Sequence, residues 1–176
     1  MKKVTIISLG LLLAAAQVTA AQASDGTISF TGNIESQTCT VDVNGGGSSA
    51  TVPLPNISSS HLQAAGQTAG STRFTINLSA CSSDSGEIYA YFEQGANVNA
   101  DGRLVNTGTA TNVELQLLDG AGNLLNAGST AQSTAPLTAQ LTGGAATLTY
   151  AAQYYATAAT TAGSVASSVT YSINYL

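Results

Sequence analysis

Few side chains in this 176-residue chain could support acid–base, nucleophilic or metal chemistry. The single histidine, His61, has no nucleophile motif beside it, and a Ser–His–Asp site needs three groups brought together. Asp84 and Glu87 are spaced like a possible glycosidase pair, but they flank a Ser- and Gly-rich turn without an aromatic platform for a sugar. We therefore expect an exposed loop histidine, solvated carboxylates, no enzyme activity and no cofactor.

The first 23 residues have the pattern of a secretory signal peptide. Lys2-Lys3 precede an apolar run over residues 4–18, and Ala21-Gln22-Ala23 supplies the small residues of a cleavage site. The run of about 15 residues is shorter than the roughly 20 that a membrane span needs. We predict export with cleavage before Ser24 and no membrane span; cleavage after Ala20 or Ala21 is the alternative.

Export decides how the two cysteines, Cys39 and Cys81, are interpreted. In an oxidising compartment a cysteine pair is most simply a disulfide. The alternative, a pair of free or metal-binding thiols, lacks further soft ligands because His61 is the only histidine. We predict a Cys39–Cys81 disulfide and no metal site. Its contribution would be roughly 4 kcal/mol in the chain-entropy model.

Charge in the chain is sparse and negative. Nine acidic residues face four basic ones, and two of these are the lysines of the signal peptide. The two that remain, Arg73 and Arg103, cannot line a groove that follows nucleic acid phosphates. An acidic surface also repels anionic lipid, so we expect neither partner. The mature length suits a single domain.

Short strand-like runs recur between segments rich in Gly, Asn and Ser, which is typical of an all-β sandwich of the immunoglobulin-like type. One short helix is predicted over Ser58–Gln63, and Asp119–Asn123 is predicted to form a hairpin turn. The predicted strands are Thr27–Ile34, Thr38–Val43, Thr51–Leu54, Arg73–Leu78, Glu87–Phe92, Asn112–Leu118, Leu137–Leu141, Ala146–Tyr155 and Val165–Tyr175.

The mature chain begins and ends with a strand that has one apolar face. At the C-terminal end the alternating residues are Val169, Tyr171, Ile173 and Tyr175. At the N-terminal end they are Gly26, Ile28, Phe30, Gly32 and Ile34. A period of two predicts a strand with one buried face, and a terminal strand presents an edge that promotes aggregation unless it is completed. The two could pair with each other inside one domain, or a partner could complete them.

These ends resemble chaperone–usher pilins, close to the type 1 fimbrial shaft subunits. In that family the last strand carries a glycine fourteen residues from the end and a penultimate tyrosine. Gly163 and Tyr175 match those positions, and Val165, Val169, Tyr171 and Ile173 supply apolar positions between them. The segments around the cysteines, Gln37–Val41 and Asn77–Cys81, are also similar, so the resemblance covers most of the mature chain.

The resemblance implies an immunoglobulin-like sandwich that lacks its last strand and polymerises by donor-strand exchange. It divides the chain into a signal peptide (1–23), an N-terminal donor extension (24–35) and a pilin domain (36–176). Gly163 to Tyr175 would form the groove strand, and Gly26 to Ile34 the donor. The implied partners are neighbouring copies or related pilins, a periplasmic chaperone and an outer-membrane usher. The product would be a surface fimbrium, or pilus, that supports cell adhesion.

A second hypothesis is a secreted carbohydrate-binding module, because aromatic residues often line sugar sites. Its candidates are Tyr89, Tyr91, Tyr154 and Tyr155. Tyr89 and Tyr91 alternate on one predicted strand, and we expect them to fill a core instead.

Overall fold

The strands form where apolar and polar residues alternate, and turn-forming residues separate them. The computed structural model describes residues 29, 31, 38–133 and 138–176. The chain divides into two units, Met1–Ile34 and Glu35–Leu176, and the fold described below belongs to the second. Its described strands are β1 Thr40–Val43, β2 Thr68–Ser79, β3 Ser85–Phe92, β4 Leu104–Val105, β5 Val113–Asp119, β6 Leu124–Leu125, β7 Ala139–Thr142, β8 Ala146–Ala156 and β9 Tyr171–Tyr175. Two 3-10 helices cover Ser59–His61 and Thr130–Ser133.

The strands form two antiparallel sheets. The larger sheet has the order β1-β2-β8-β5-β4, with β6 also paired to β5, and the smaller has the order β7-β3-β9. The longest pairing joins β2 to β8 from Thr68 and Tyr155 to Leu78 and Ala146. A disulfide joins Cys39, just before β1, to Cys81, just after β2. The expected disulfide is therefore present, and it ties the edge of the larger sheet to its neighbour.

The core lies between the inner faces of the two sheets. Ile76 and Leu78 of β2, Tyr150 of β8 and Ile88 of β3 are almost completely buried. The Phe92 ring meets the Tyr150 ring edge-on, with 5.0 Å between the centroids. The Tyr150 hydroxyl accepts a hydrogen bond from the backbone N–H of Ala90 at 3.3 Å. Burial raises the pKa of Tyr150 to about 12, so this group stays neutral inside the core.

The all-β prediction is confirmed, and most of the strand boundaries agree to within a few residues. The short helix at 59–61 and the hairpin turn between β5 and β6 are also present. The sequence patterns missed the two-residue strands β4 and β6. Two predicted strands are wrong in part or entirely: 51–54 has no regular structure, and the strand predicted over 165–175 begins only at Tyr171. The strand predicted over 27–34 lies outside the described residues, except for Ser29 and Thr31, which have no regular structure.

A buried carboxylate organises the turn between β5 and β6. Asp119 accepts hydrogen bonds from the backbone N–H groups of Ala121 (2.9 Å) and Asn123 (2.8 Å), and from the Asn123 side-chain amide (2.8 Å). Burial by itself would raise the pKa of the Asp119 carboxyl, but these hydrogen bonds outweigh it and lower the pKa below its ordinary value. The ionised form therefore stabilises the turn.

We predict that Asp119→Asn weakens the fold most clearly at neutral pH. Because the folded pKa of Asp119 is lowered, its contribution is present above the pKa of the unfolded chain, about 3.9, and is lost as the pH falls through the folded pKa. The substitution should lower the free energy of unfolding by about 1–2 kcal/mol at neutral pH and flatten its decline in acid. Urea unfolding across the acid range measures both effects. The exposed Asp84 provides a matched control, and an equal flattening in Asp84→Asn would contradict the prediction.

Candidate functional site: a groove beside the C-terminal strand

An open groove of about 950 Å³ lies between β9 and the segment formed by residues 38–54. Its floor consists of apolar side chains from both sheets, namely Phe74, Ile76, Phe92, Leu104, Leu115, Leu117 and Ala152. We call the segment opposite β9 the 38–54 wall. Such an apolar groove, open to solvent and bounded by a strand, suits an extended peptide better than a small molecule.

The β9 side of the groove carries a strand edge that is not paired with another of the described strands. β9 lies at the end of the smaller sheet, and β3 is its partner among the described strands. The Leu176 N–H donates to the Glu87 carbonyl at 2.8 Å, and the Glu93 N–H donates to the Thr170 carbonyl at 2.9 Å. Antiparallel pairing alternates along a strand. The main-chain groups of Tyr171, Ile173 and Tyr175 therefore point away from β3, along the groove.

The predicted groove-strand residues divide into two groups. Val169, Tyr171, Ile173 and Tyr175 line the groove and pack half-buried against the core, as their alternation suggests. Gly163 and Val165 are not among the lining residues, and neither lies in β9. The groove strand is therefore shorter than predicted at its start, because Gly163, Val165 and Val169 all precede β9.

The segment before β9 does not form a strand because its backbone is bonded to the loop at 105–112. The Ala110 N–H donates to the Ser164 carbonyl at 3.0 Å, and the Thr107 N–H donates to the Ala166 carbonyl at 2.8 Å. Gly163 lies at one of the close approaches between the two segments. A Cβ atom at this position would be 2.4 Å from the backbone N of Ala110. Gly163 therefore permits a close approach that anchors the base of β9.

The 38–54 wall differs from β9 because it is a strand only up to Val43, and the rest of it has no regular structure beyond a turn and bends. Pro53 and Pro55 cannot donate backbone hydrogen bonds, which explains why the strand predicted over 51–54 does not form. Val52 and Leu54 nevertheless pack half-buried against the core and line the groove. The Tyr154 hydroxyl donates to the Pro55 carbonyl at 3.1 Å and holds the end of this wall. The apolar, alternating Val52 and Leu54 were the sequence signal for this wall.

Two tyrosines of β9 reach across the groove to the 38–54 wall. The Tyr171 hydroxyl donates to the Ser48 carbonyl at 2.7 Å. The Tyr175 hydroxyl lies 3.1 Å from the Cys39 sulfur. Burial raises the pKa of both tyrosines, and the charge of Asp42 raises that of Tyr171 further. Both hydroxyls therefore keep their protons at neutral pH. The sequence contained no signal for these contacts.

The residues considered for catalysis remain dispersed. His61 ends an exposed 3-10 turn, Asp84 is exposed, and Glu87 accepts a hydrogen bond from the Thr138 hydroxyl. In the part of the chain that the structure describes, no three His, Cys, Asp or Glu residues cluster as metal ligands do. Over the same part, no helix is long and apolar enough to cross a membrane.

The tyrosines considered for sugar binding do not form an exposed platform. Tyr154 is buried, and Tyr155 is half-buried beneath the Arg103 guanidinium, which lies 4.3 Å from the ring centroid. Tyr89 and Tyr91 are half-buried on the face of β3 opposite to the core, where Ile88, Ala90 and Phe92 point. The expectation that Tyr89 and Tyr91 fill the core is wrong. The alternate residues of β3, Ile88, Ala90 and Phe92, point toward the core instead.

The predicted donor residues fall outside the residues that the structure describes. These are Gly26, Ile28, Phe30, Gly32 and Ile34. Their role stays a prediction, as do the boundaries of the signal peptide and of the donor extension.

Comparisons with known proteins give a consistent result. Residues 28–176 match the model of a family described as fimbrial protein. The major fimbrial subunit SMF-1 of Stenotrophomonas maltophilia (strain K279a) is 48% identical over 111 residues, which are 61% of this chain and 63% of that protein. The match thus spans just under two thirds of that relative. The F17 fimbrial protein of Escherichia coli is 40% identical over 129 residues, 69% of each chain.

A solved structure of a chaperone–usher pilus shares the fold. The TM-score is 0.59 at 20% sequence identity, and the match covers 92% of this chain and 100% of that one. At this identity the likeness concerns the fold alone. It confirms the immunoglobulin-like sandwich.

We predict that Gly163→Ala destabilises the protein by about 1–3 kcal/mol, because the added methyl group would force the 105–112 loop away from the base of β9. Gly95 provides a matched control, since a Cβ atom there would meet nothing within 4 Å. Gly95→Ala should change the free energy of unfolding by less than about 1 kcal/mol. Urea unfolding of both variants makes the comparison, and equal stability of the two would contradict the assigned role of Gly163.

Proposed function

The chain belongs to the fimbrial protein family and is a structural fimbrial subunit, and we propose that it polymerises by binding the N-terminal extension of another copy beside β9. The observation that carries this proposal is the outward-facing edge of β9 along an apolar groove. The extension, residues 24–35, would pair with that edge and cover the floor. Because the extension of one subunit would fill this groove of the next, repetition would give a linear fibre.

The residues of the extension suit this groove. Main-chain hydrogen bonds to Tyr171, Ile173 and Tyr175 provide the pairing, while side chains at alternate positions enter the groove. Ile28, Phe30 and Ile34 are the apolar ones. At about 1.5–3 kcal/mol for each fully buried side chain, they contribute about 5–9 kcal/mol before the cost of ordering. The glycines at 26 and 32 suit shallow places where the backbone lies close to the floor.

The same groove explains the need for export partners. An apolar groove that is open in a newly exported subunit would promote aggregation. A periplasmic chaperone that lends a strand of its own would cover the groove until the subunit reaches an outer-membrane usher. There the extension of the next subunit replaces the chaperone strand. The fibre then forms at the cell surface as a fimbrium that supports adhesion.

The test uses the chain from Ser24 onward with Ile28 and Phe30 both replaced by Asp. This variant keeps its groove but cannot serve as a donor. A synthetic peptide spanning Ser24–Ser36 should raise its thermal midpoint. At a peptide concentration of about 100 times Kd the stabilisation is about 2.7 kcal/mol, which corresponds to a shift of roughly 5–10 °C.

The control is the same peptide with Asp in place of Ile28 and Phe30, which should leave the midpoint unchanged. A midpoint that the unmodified peptide does not raise would mean that the sandwich is self-sufficient. The proposal that subunits assemble through this groove would then be wrong.

A further inference from the structure

We propose that the Tyr171 hydroxyl and the Ser48 carbonyl form a releasable bridge that closes the groove of an unoccupied subunit and slows the insertion of an incoming strand. The proposal rests on the function proposed above and concerns the regulation of that same site. Its basis is that one side chain joins the two walls between which the strand must insert.

The position of the bridge makes it an obstacle to insertion. Tyr171 begins β9 and Ser48 lies in the 38–54 wall, and both residues line the groove. The hydrogen bond between them is exposed to solvent, so it crosses the mouth of the groove rather than its floor. Neighbouring strands in a sheet lie about 4.8 Å apart, so a strand inserted between the walls needs them about twice that distance apart. A tyrosine ring bonded to the opposite wall occupies the space of that strand.

The Ser48 side of the bridge is a hydrogen-bonded glycine turn. Ser48 follows the Gly45-Gly46-Gly47 run, which is exposed, and Gly45 and Gly47 adopt φ values of +82° and +79°. The Asp42 carboxylate accepts hydrogen bonds from the N–H groups of Gly45 (2.7 Å) and Gly47 (2.9 Å). Asp42 therefore orders this turn and presents the Ser48 carbonyl to Tyr171. Release of the bridge removes one of the contacts that hold this turn, and glycine can adopt other backbone conformations once such contacts break.

The chemistry of the bridge also favours release. The bond is a neutral hydrogen bond to a carbonyl that water can reach, so both partners can be satisfied by solvent after it breaks. A tyrosine hydroxyl is protonated at neutral pH in any case, and burial raises the pKa of Tyr171 further, so the group keeps its capacity to donate. The Tyr175 contact with the Cys39 sulfur lies at the other end of β9. It contributes less to the barrier against strand insertion, because sulfur is a weak acceptor.

The experiment measures how fast the Ile28→Asp, Phe30→Asp chain from Ser24 takes up a fluorescent peptide spanning Ser24–Ser36. Tyr171→Phe in this background should increase the association rate about two- to tenfold, the value of one net hydrogen bond. The dissociation rate should stay unchanged. Tyr175→Phe should give a smaller increase. Tyr91→Phe is the matched control. Tyr91 lies on β3, which pairs with β9, and the substitution removes the hydrogen bond of 3.0 Å that its hydroxyl donates to the Gly128 carbonyl.

A second measurement needs no peptide. Amide hydrogen exchange of Val43, Gly45, Gly46 and Gly47, whose N–H groups donate hydrogen bonds within the turn before Ser48, should become faster in Tyr171→Phe and stay as in the parent chain in Tyr91→Phe. Unchanged exchange in Tyr171→Phe would overturn the bridge, whatever the peptide does.

The two proposals fail in different ways. If the parent chain takes up the peptide and Tyr171→Phe leaves the association rate unchanged, the bridge is overturned and strand donation stands. If Tyr171→Phe raises only the dissociation rate, the hydroxyl acts in the occupied groove and the bridge is again overturned. If the parent chain takes up no peptide, strand donation is overturned, and the barrier role of the bridge fails with it.

Discussion

The structure depends on one constraint, the hydrogen-bonding capacity of the last strand. Every main-chain N–H and C=O group of a strand needs a partner, and among the described strands β9 pairs through one of its two edges, with β3. The other edge runs along an apolar floor that a complete sandwich would cover with a strand. An edge of this kind is normally protected by charge, proline or a bulge. Tyr171, Ile173 and Tyr175 provide apolar side chains instead, which suits an edge that is meant to be paired.

The rest of the fold holds that edge in place. The long β2–β8 pairing gives the larger sheet its rigidity, and the Cys39–Cys81 disulfide fixes the start of the opposite wall. On the other side, the close packing of the Gly163 segment against the 105–112 loop anchors the chain just before β9. The two walls of the groove are thus attached to different sheets. A strand inserted between them would join the sheets through main-chain hydrogen bonds.

The two walls are not equivalent in their chemistry. β9 is a regular strand that can pair along its whole edge, whereas prolines interrupt the donors of the opposite wall. The apolar Val52 and Leu54 still close the groove from that side. Pairing along β9 can therefore provide register, and the second wall contributes burial. This division explains how the groove can be apolar and yet specific for an extended segment.

The sequence by itself determined the features that depend on local pattern. Alternation identified most strands and the apolar face of the last strand, because a period of two follows directly from strand geometry. The Gly, Asp and Asn residues of 119–123 identified the hairpin turn. The cysteine pair indicated its disulfide, and the residues shared with a known family indicated the incomplete sandwich. The same patterns failed where partners outweighed periodicity. The strand predicted from Val165 does not begin there, because the Ser164 and Ala166 carbonyls are bonded to a distant loop.

Only the tertiary structure decided which faces and contacts these patterns produce. Tyr89 and Tyr91 alternate as core residues do, yet the register of β3 directs Ile88, Ala90 and Phe92 inward instead. The Tyr171–Ser48 contact joins residues 123 positions apart. No local pattern encodes such a contact, because it depends on how the two sheets stack and where the chain crosses between them. The sequence contains the capacity for an unfilled groove, and the packing of the sheets determines its walls.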